Sequence, residues 1–269
     1  MEVQKFIPEG WNINPNNFTK QEVLNSIDND NILQGRVIKC DNNYNLHVEL
    51  SNDLSDAIIP RTEIEAICVD SFGYPKPNIC YNKVNKFVQF KVKEITNEDI
   101  AILSRKEVGN QALKWIKRDL KAGDIVNGIV TNIRPFGVFV EIGGGISGLL
   151  HIEDISVARI KDPSERFKVG QKVQVMIKYI NSETNRIELT YKELLGTWEE
   201  NVQNISEGTI VHGIAREKEK NNRGIFIELM PNLVGLAEYI DGVEYGKQVN
   251  VLVKRIIPEK KKIKLVLVK

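Results

Sequence analysis

A chain of 269 residues can hold one large domain or two to three small ones, and a hydrophobic content of 42% is ordinary for a soluble globular protein. The 37 Lys and Arg balance 36 Asp and Glu, which excludes a whole-chain polycation argument for a nucleic-acid partner and leaves only local ones. No apolar stretch reaches membrane-spanning length, and the start MEVQKFIPEG lacks the basic-then-apolar order of a secretory signal, so a cytosolic protein is expected.

Taken in chain order, Thr19 and Glu22 in TKQE form a capping box that predicts a brief helix through Ile27. From Gly35 the run GRVIKCDNNYNLHVELSNDLSDAIIPRTEI opens a series of short strands, continued by FVQFKVKEI and IAILS. EVGNQALKWIKRDLKAG then spaces Ala112, Trp115, Ile116 and Leu120 along one helical face, closed by Gly123, with Trp115 packing at a domain interface.

A second series begins at Gly128 with GIVTNIRPFGVFVEIGGGISGLLHIEDIS and continues with VQVMIKYI and RIELTY. In VFVEI, Val138, Val140 and Ile142 share one face while Phe139 and Glu141 share the other. A face carrying Glu141 is expected to be wet. Phe139 then stands on a solvated sheet surface with Phe136 at the strand entry, the placement a base-stacking platform requires. Gly143, Gly145 and Gly148 fall at the spacing G-x-G-x-x-G, but GLLHI after them reads as a strand rather than a helix, so they predict a hairpin and not a phosphate loop. Met176 and Tyr179 read as packing residues.

Trp198 marks a second joint in which Gly196 and Gly208 allow a bend. A third series, GIAREKEKNNRGIFIELMPNLVGLAEYID from Gly213, continues with VNVLVKRII and KIKLVLV. REKEK at Arg216–Lys220 alternates in sign and reads as a solvated loop. Lys260, Lys261 and Lys262 at a strand entry, with Lys264 outward, fit either a phosphate contact or a solvated hairpin tip.

The three series are copies of one pattern. VFVEI, IFIEL and LHVEL each place Glu at the second outward site, at Glu141, Glu228 and Glu49, preceded by Phe139, Phe226 and His47. Five short strands in about seventy residues suit a small barrel, because closure removes edges that would otherwise aggregate. The expected fold is all-β: three tandem five-stranded OB-fold barrels joined by short helical linkers. The predicted organisation is an N-terminal extension with a short helix (1–33), a divergent first barrel (34–105), a helical linker (106–121), a second barrel (122–193), a linker (194–206) and a third barrel (207–269). Cys40, Cys68 and Cys80 lack metal-type spacing and are expected as reduced thiols, and His47, His151 and His212 are scattered, so no catalytic, metal or cofactor site is predicted.

The middle copy, with GDIVNGIVTNIRPFGVFVEIGGGISGLLHIEDIS and VGQKVQVMIKYINSETNRIELTYKE, resembles the S-one-type RNA-binding domain, the repeat of the largest small-subunit ribosomal protein of bacteria. The third copy is a moderate match and the first a divergent one. The resemblance implies an OB barrel whose aromatic face binds single-stranded RNA, with contact positions at Phe136, Phe139, His151 and Arg186. In the third copy these positions hold Arg223, Phe226, Glu238 and Lys262, and in the first Tyr44, His47, Pro60 and Ile100. The implied function is translation on messenger RNA at the small ribosomal subunit, which residues 1–105 would contact. The other readings are a regulator of messenger stability or transcription and a protein-interaction scaffold; none is enzymatic.

Overall fold

The computed structural model describes residues 4–11, 17–218 and 223–268. Thr19 caps α1 (Lys20–Asp28) through the reciprocal box with Glu22, and the helix packs on the first barrel through Val23. That barrel comprises β1 (Leu33–Cys40), β2 (Leu46–Glu49), β3 (Asp56–Ile59), the short α2 (Pro77–Tyr81), β4 (Phe87–Ile95) and β5 (Ile100–Ser104). Helix α3 (Arg105–Asp119) follows β5 directly, its N-terminus capped by Ser104. The middle barrel contains β6 (Ile125–Arg134), β7 (Gly137–Gly143), β8 (Ile146–His151), β9 (Lys172–Asn181) and β10 (Arg186–Thr190). After α4 (Trp198–Val202) the third contains β11 (Ile210–Lys218), β12 (Gly224–Met230), β13 (Leu233–Glu238), β14 (Gln248–Ile257) and β15 (Lys262–Val268).

All three sheets close in the same way. The first strand of each pairs with both the second and the fourth, and the third runs parallel to the fifth. Alternate residues fill each lumen, as Val126, Val130, Val138, Val140, Val175 and Leu189 do in the middle barrel. The fold is therefore the expected three-barrel β architecture.

Residues 4–11 strap the first barrel to the second. The Gln4 side chain behaves like a strand: its amide nitrogen donates to Ile142 O at 2.7 Å, and its oxygen accepts from Asn127 N at 2.9 Å. Phe6 is buried in the middle barrel's core beside Trp115, with ring centroids 5.8 Å apart. Burying a phenylalanine in this way contributes roughly 1.5–3 kcal/mol. Gly143, at φ +139°, has Phe6 O only 2.3 Å from where a Cβ would stand, and a Cβ on Gly145, at φ +78°, would lie 1.9 Å from the Arg105 guanidinium. The glycine motif is thus a hairpin tip against which the strap and α3 close, consistent with the hairpin reading and not with a phosphate loop.

Glu141 departs from the wet-face expectation: only 4% of it is exposed. Its carboxylate accepts from the backbone N–H of Gly143 (2.8 Å), Gly145 (2.9 Å) and Glu9 (2.7 Å), because the strap covers this end of β7. Beside it, Arg105 donates from Nε to Glu9 (2.7 Å) and from Nη1 to Ile64 O (2.8 Å), and pairs with Glu65 at 2.8 Å. Burial and the neighbouring Glu9 carboxylate push the Glu141 carboxyl up to about 8, against the pull of its N–H donors and of Arg105. Burial would also raise Glu9, but the charges of Arg105 and Lys83 outweigh it and hold Glu9 below its ordinary value.

The third copy also buries its glutamate, but with guanidinium partners. Glu228 is also 4% exposed and takes Arg216 Nε at 2.6 Å and the Arg166 guanidinium of the middle barrel. Arg216 reaches Glu165 at 2.6 Å as well, so it is a buried residue of β11 and not part of a solvated loop. Glu219 and Lys220 of the same run lie outside the described residues. The second joint is tied too: Asn232 Nδ2 donates to Gly196 O at 2.9 Å, and Ala158 N to Pro231 O at 2.9 Å.

Because Glu141 is pushed up to about 8, the folded state holds a proton that the unfolded chain releases near pH 4.5, so this group's contribution to stability falls as pH rises across that window. Between about pH 6 and about pH 9 the loss is expected on the order of 2 kcal/mol. Thermal unfolding of wild type and Glu141→Gln across this range is the check, with a flatter profile expected for the variant.

Candidate nucleic-acid interface

At the other end of β7, the turn from β6 presents Phe136, 49% exposed, with Phe139 half-buried on the outer face of the sheet. Their rings meet edge to face at 6.2 Å and an interplanar angle of 86°, which leaves ring surface open to solvent. His151 stands beside them because β8 pairs Gly137 with His151, and Ile152 N donates to Phe136 O at 3.0 Å. The histidine ring is partly exposed and caps the following turn, accepting from Glu153 N at 3.4 Å. Arg186, exposed at the start of β10, pairs across the strands with Asn181.

Below this surface Asp154 is clamped by Lys178 at 2.7 Å and Lys192 at 3.0 Å. Burial would raise Asp154, but those hydrogen bonds and charges hold it low, so it stays ionised and fixes the loop after β8.

Tyr179 was missed by the packing expectation: it is 53% exposed, while Met176 is half-buried. The cause is a bulge in β9, where Glu188 faces Tyr179 and Leu189 faces Ile177, so Lys178 is the extra residue and the alternation slips by one. Strand pairing aligns Phe139, Leu149, Glu188 and Tyr179 in one outer row across β7, β8, β10 and β9.

In the third barrel Phe226 is 39% exposed, and Arg223, Glu238 and Lys262 are all on the surface. Gly224 pairs with Glu238, which places the carboxylate where the middle barrel has His151. Tyr239, not singled out by the sequence, follows it and carries Lys218 Nζ 3.6 Å from its ring centroid. Of the C-terminal lysines, Lys261 is tied to Glu199 at 2.9 Å, while Lys262 and Lys264 point outward on β15.

The first barrel differs. His47 is 7% exposed, with Nδ1 2.6 Å from Asp56 and Nε2 3.6 Å from Asp41, so it is a structural residue and not an open stacking surface. The two carboxylates hold the ring against the outer face of its barrel, where Phe139 and Phe226 keep theirs open. Tyr44 occupies the β1–β2 turn at φ +65° and packs edge to face on Tyr81. Pro60 ends β3, and Ile100 opens β5 with no cation at that place.

Residues 119–192 match the family model of the S1 RNA binding domain. The chain is 33% identical over 195 residues to the small ribosomal subunit protein bS1 of Staphylococcus aureus (strain COL), covering 66% of this chain and 49% of that protein. It is 32% identical over 224 residues to a bS1 homolog of Bacillus cereus, covering 77% of this chain and 56% of the relative. Among solved structures, a multidomain protein with nucleic acid binding domains from Streptococcus pneumoniae aligns over 88% of this chain and 73% of that one at 14% identity, with a TM-score of 0.25. The family match falls on the middle barrel, which resembles the S1 RNA binding domain. The chain is a homologue of small ribosomal subunit protein bS1, and it spans about half the length of the curated relatives it matches.

Removing the His47 imidazole takes away the ring partner of Asp56 on the first barrel. His47→Ala is expected to cost about 1–3 kcal/mol in denaturant unfolding while leaving RNA affinity unchanged. A loss of RNA binding at unchanged stability would contradict the structural role.

Proposed function

We propose that the protein binds single-stranded RNA on the middle barrel, with bases stacked on Phe136 and Phe139, His151 at the edge of the platform and Arg186 on the phosphate backbone. The observation that carries the reading is the pair of open aromatic rings beside His151 and Arg186 on a barrel that matches the S1 RNA binding domain. Stacking on an aromatic ring is worth roughly 1–3 kcal/mol per base and tolerates any sequence, because every base has a π-face. The third barrel adds Arg223, Phe226 and Lys262 as a weaker site, in which Glu238 repels phosphate.

The biological setting is translation in the cytosol, on messenger RNA at the small ribosomal subunit, supported by 33% identity to bS1 over 195 residues. The role is one of holding RNA, not of catalysis. Among the described residues no helix is long and apolar enough to cross a membrane, and no cluster of His, Cys, Asp and Glu could hold a metal ion.

Fluorescence anisotropy of a labelled unstructured RNA and a matched duplex, at two salt concentrations, tests the platform. Single strands are expected to bind more tightly, and Phe136→Ala/Phe139→Ala to lose on the order of 2–6 kcal/mol, less where the two rings share a base. Equal binding by both proteins, sensitive only to salt, would rule out a stacking site. Co-sedimentation with purified small subunits tests the setting, and failure to co-sediment would separate RNA binding from a ribosomal role.

A further inference from the structure

The first barrel lacks an open aromatic on its sheet, yet it gathers aromatic rings elsewhere. Between β3 and α2 the chain makes a tight turn in which Asp70 accepts from the N–H of Phe72 and of Tyr74, both at 2.9 Å. Gly73 N donates to Asp70 O at 3.0 Å, and Val69 bridges to Pro75. This pinned turn presents the Phe72 ring to solvent at 81% exposure, on a backbone held by Asp70.

Arg61 is pinned as well. Its Nη2 and Nε donate to Pro75 O at 2.9 and 3.3 Å, and its guanidinium lies 4.7 Å from the Tyr44 ring centroid and 5.0 Å from that of Tyr74. Tyr44 in turn meets Tyr81, 51% exposed, at 5.7 Å. Tyr81, Tyr44, Arg61 and Tyr74 therefore form a continuous ladder of planar groups, with Phe72 standing free beside it. A cavity of about 580 Å³ opens next to the ladder, walled by Arg61, Tyr74, Lys76 and Pro77 among others. Asp70 is the acid in that wall, and its Oδ1 is occupied by the turn's own N–H groups.

We propose that this ladder is a second binding site for single-stranded RNA, in which bases stack on Phe72, Tyr74 and Tyr81 while Arg61 and Lys76 face the phosphates. The inference rests on the RNA-binding reading of the middle barrel and extends it. Tyr44 occupies the first hairpin turn of its barrel, as Phe136 does in the next, so the ladder stands at the end of the first barrel that corresponds to the platform of the second. A strand already held by the middle barrel meets the ladder at high effective concentration, because α3 joins the two barrels without a flexible linker. Tyr44, Tyr74 and Tyr81 are held by ring contacts beside a pinned guanidinium, and Phe72 adds an exposed ring, the combination that binds single strands with little sequence preference.

The test uses the full chain, with labelled oligouridine of about 6 and about 30 nucleotides, since one OB fold engages roughly 4–16. Phe72→Ala/Tyr74→Ala is expected to weaken the long RNA about tenfold and the short one less than twofold, with an unchanged melting curve. Photo-cross-linking of wild type with thiouridine-substituted RNA is expected to mark residues 69–81. If Phe72→Ala/Tyr74→Ala binds both lengths as wild type does and no cross-link falls in 69–81, the ladder is not an RNA site; the platform reading survives provided Phe136→Ala/Phe139→Ala still loses binding. That result would turn attention to a proline-rich peptide as the ladder's ligand. If instead Phe136→Ala/Phe139→Ala binds as wild type does, the platform reading falls, and cross-links in 69–81 would support the ladder while their absence would overturn it too.

Discussion

The geometry of the chain depends on one repeated interaction, a glutamate at the second outward position of a barrel's second strand that is buried instead of solvated. Glu141 and Glu228 each sit at a joint where an arginine has been drawn in, Arg105 beside the first and Arg166 and Arg216 on the second. A buried ion pair adds little net stability over a well-packed apolar contact, but breaking one partner away costs about 3–5 kcal/mol. At the first joint the ion pairs are those of Arg105 with Glu9 and Glu65, beside a Glu141 that keeps its proton, and at the second those of Glu228 with Arg166 and Arg216. Together they select a single docking geometry from the many that two smooth barrels would allow. The glycine hairpin, the N-terminal strap and α3 are all shaped around that selection.

The strand carrying the first of these glutamates also carries the platform. β7 has seven residues, about 20 Å of extended chain. One end is closed by the strap and Glu141, and the other presents Phe136 and Phe139. Docking between barrels thus consumes the hairpin tips and leaves the aromatic turns uncovered. In the first barrel, where His47 is locked between Asp41 and Asp56, the aromatic surface has moved to the segment between β3 and α2.

Much of this was legible in the sequence. Three copies of an alternating pattern with turn residues at regular spacing prescribe three closed barrels, and the strand after Gly148 rules out a phosphate loop. What escaped the sequence is what depends on neighbours in space. Glu141 and Arg216 look solvated because their local patterns are polar, and only the strap and the adjoining barrel bury them. Tyr179 looks inward because alternation is assumed unbroken, whereas a bulge at Lys178 turns it out. His47 aligns with Phe139 and is nonetheless buried, since the acids that hold it, Asp41 and Asp56, lie six residues before it and nine after. The ladder of the first barrel escaped entirely, because its rungs are scattered from Tyr44 to Tyr81 and only the folded β1–β2 turn, the Asp70 turn and α2 bring them together around Arg61.

The strap carries a consequence for synthesis. Gln4 bonds to Asn127 and Ile142 across sequence separations of 123 and 138 residues, and the surface that buries Phe6 is built from β6 to β10. During translation the first barrel can already take Glu9 and Gly10 of the strap, through Gln89 and Gln34, while Gln4 and Phe6 still lack their partners, so Phe6 emerges as an apolar ligand awaiting its receptor. The chain closes on itself only when the middle barrel has left the ribosome, a long-range contact that is slow to form and holds the young protein open in the meantime.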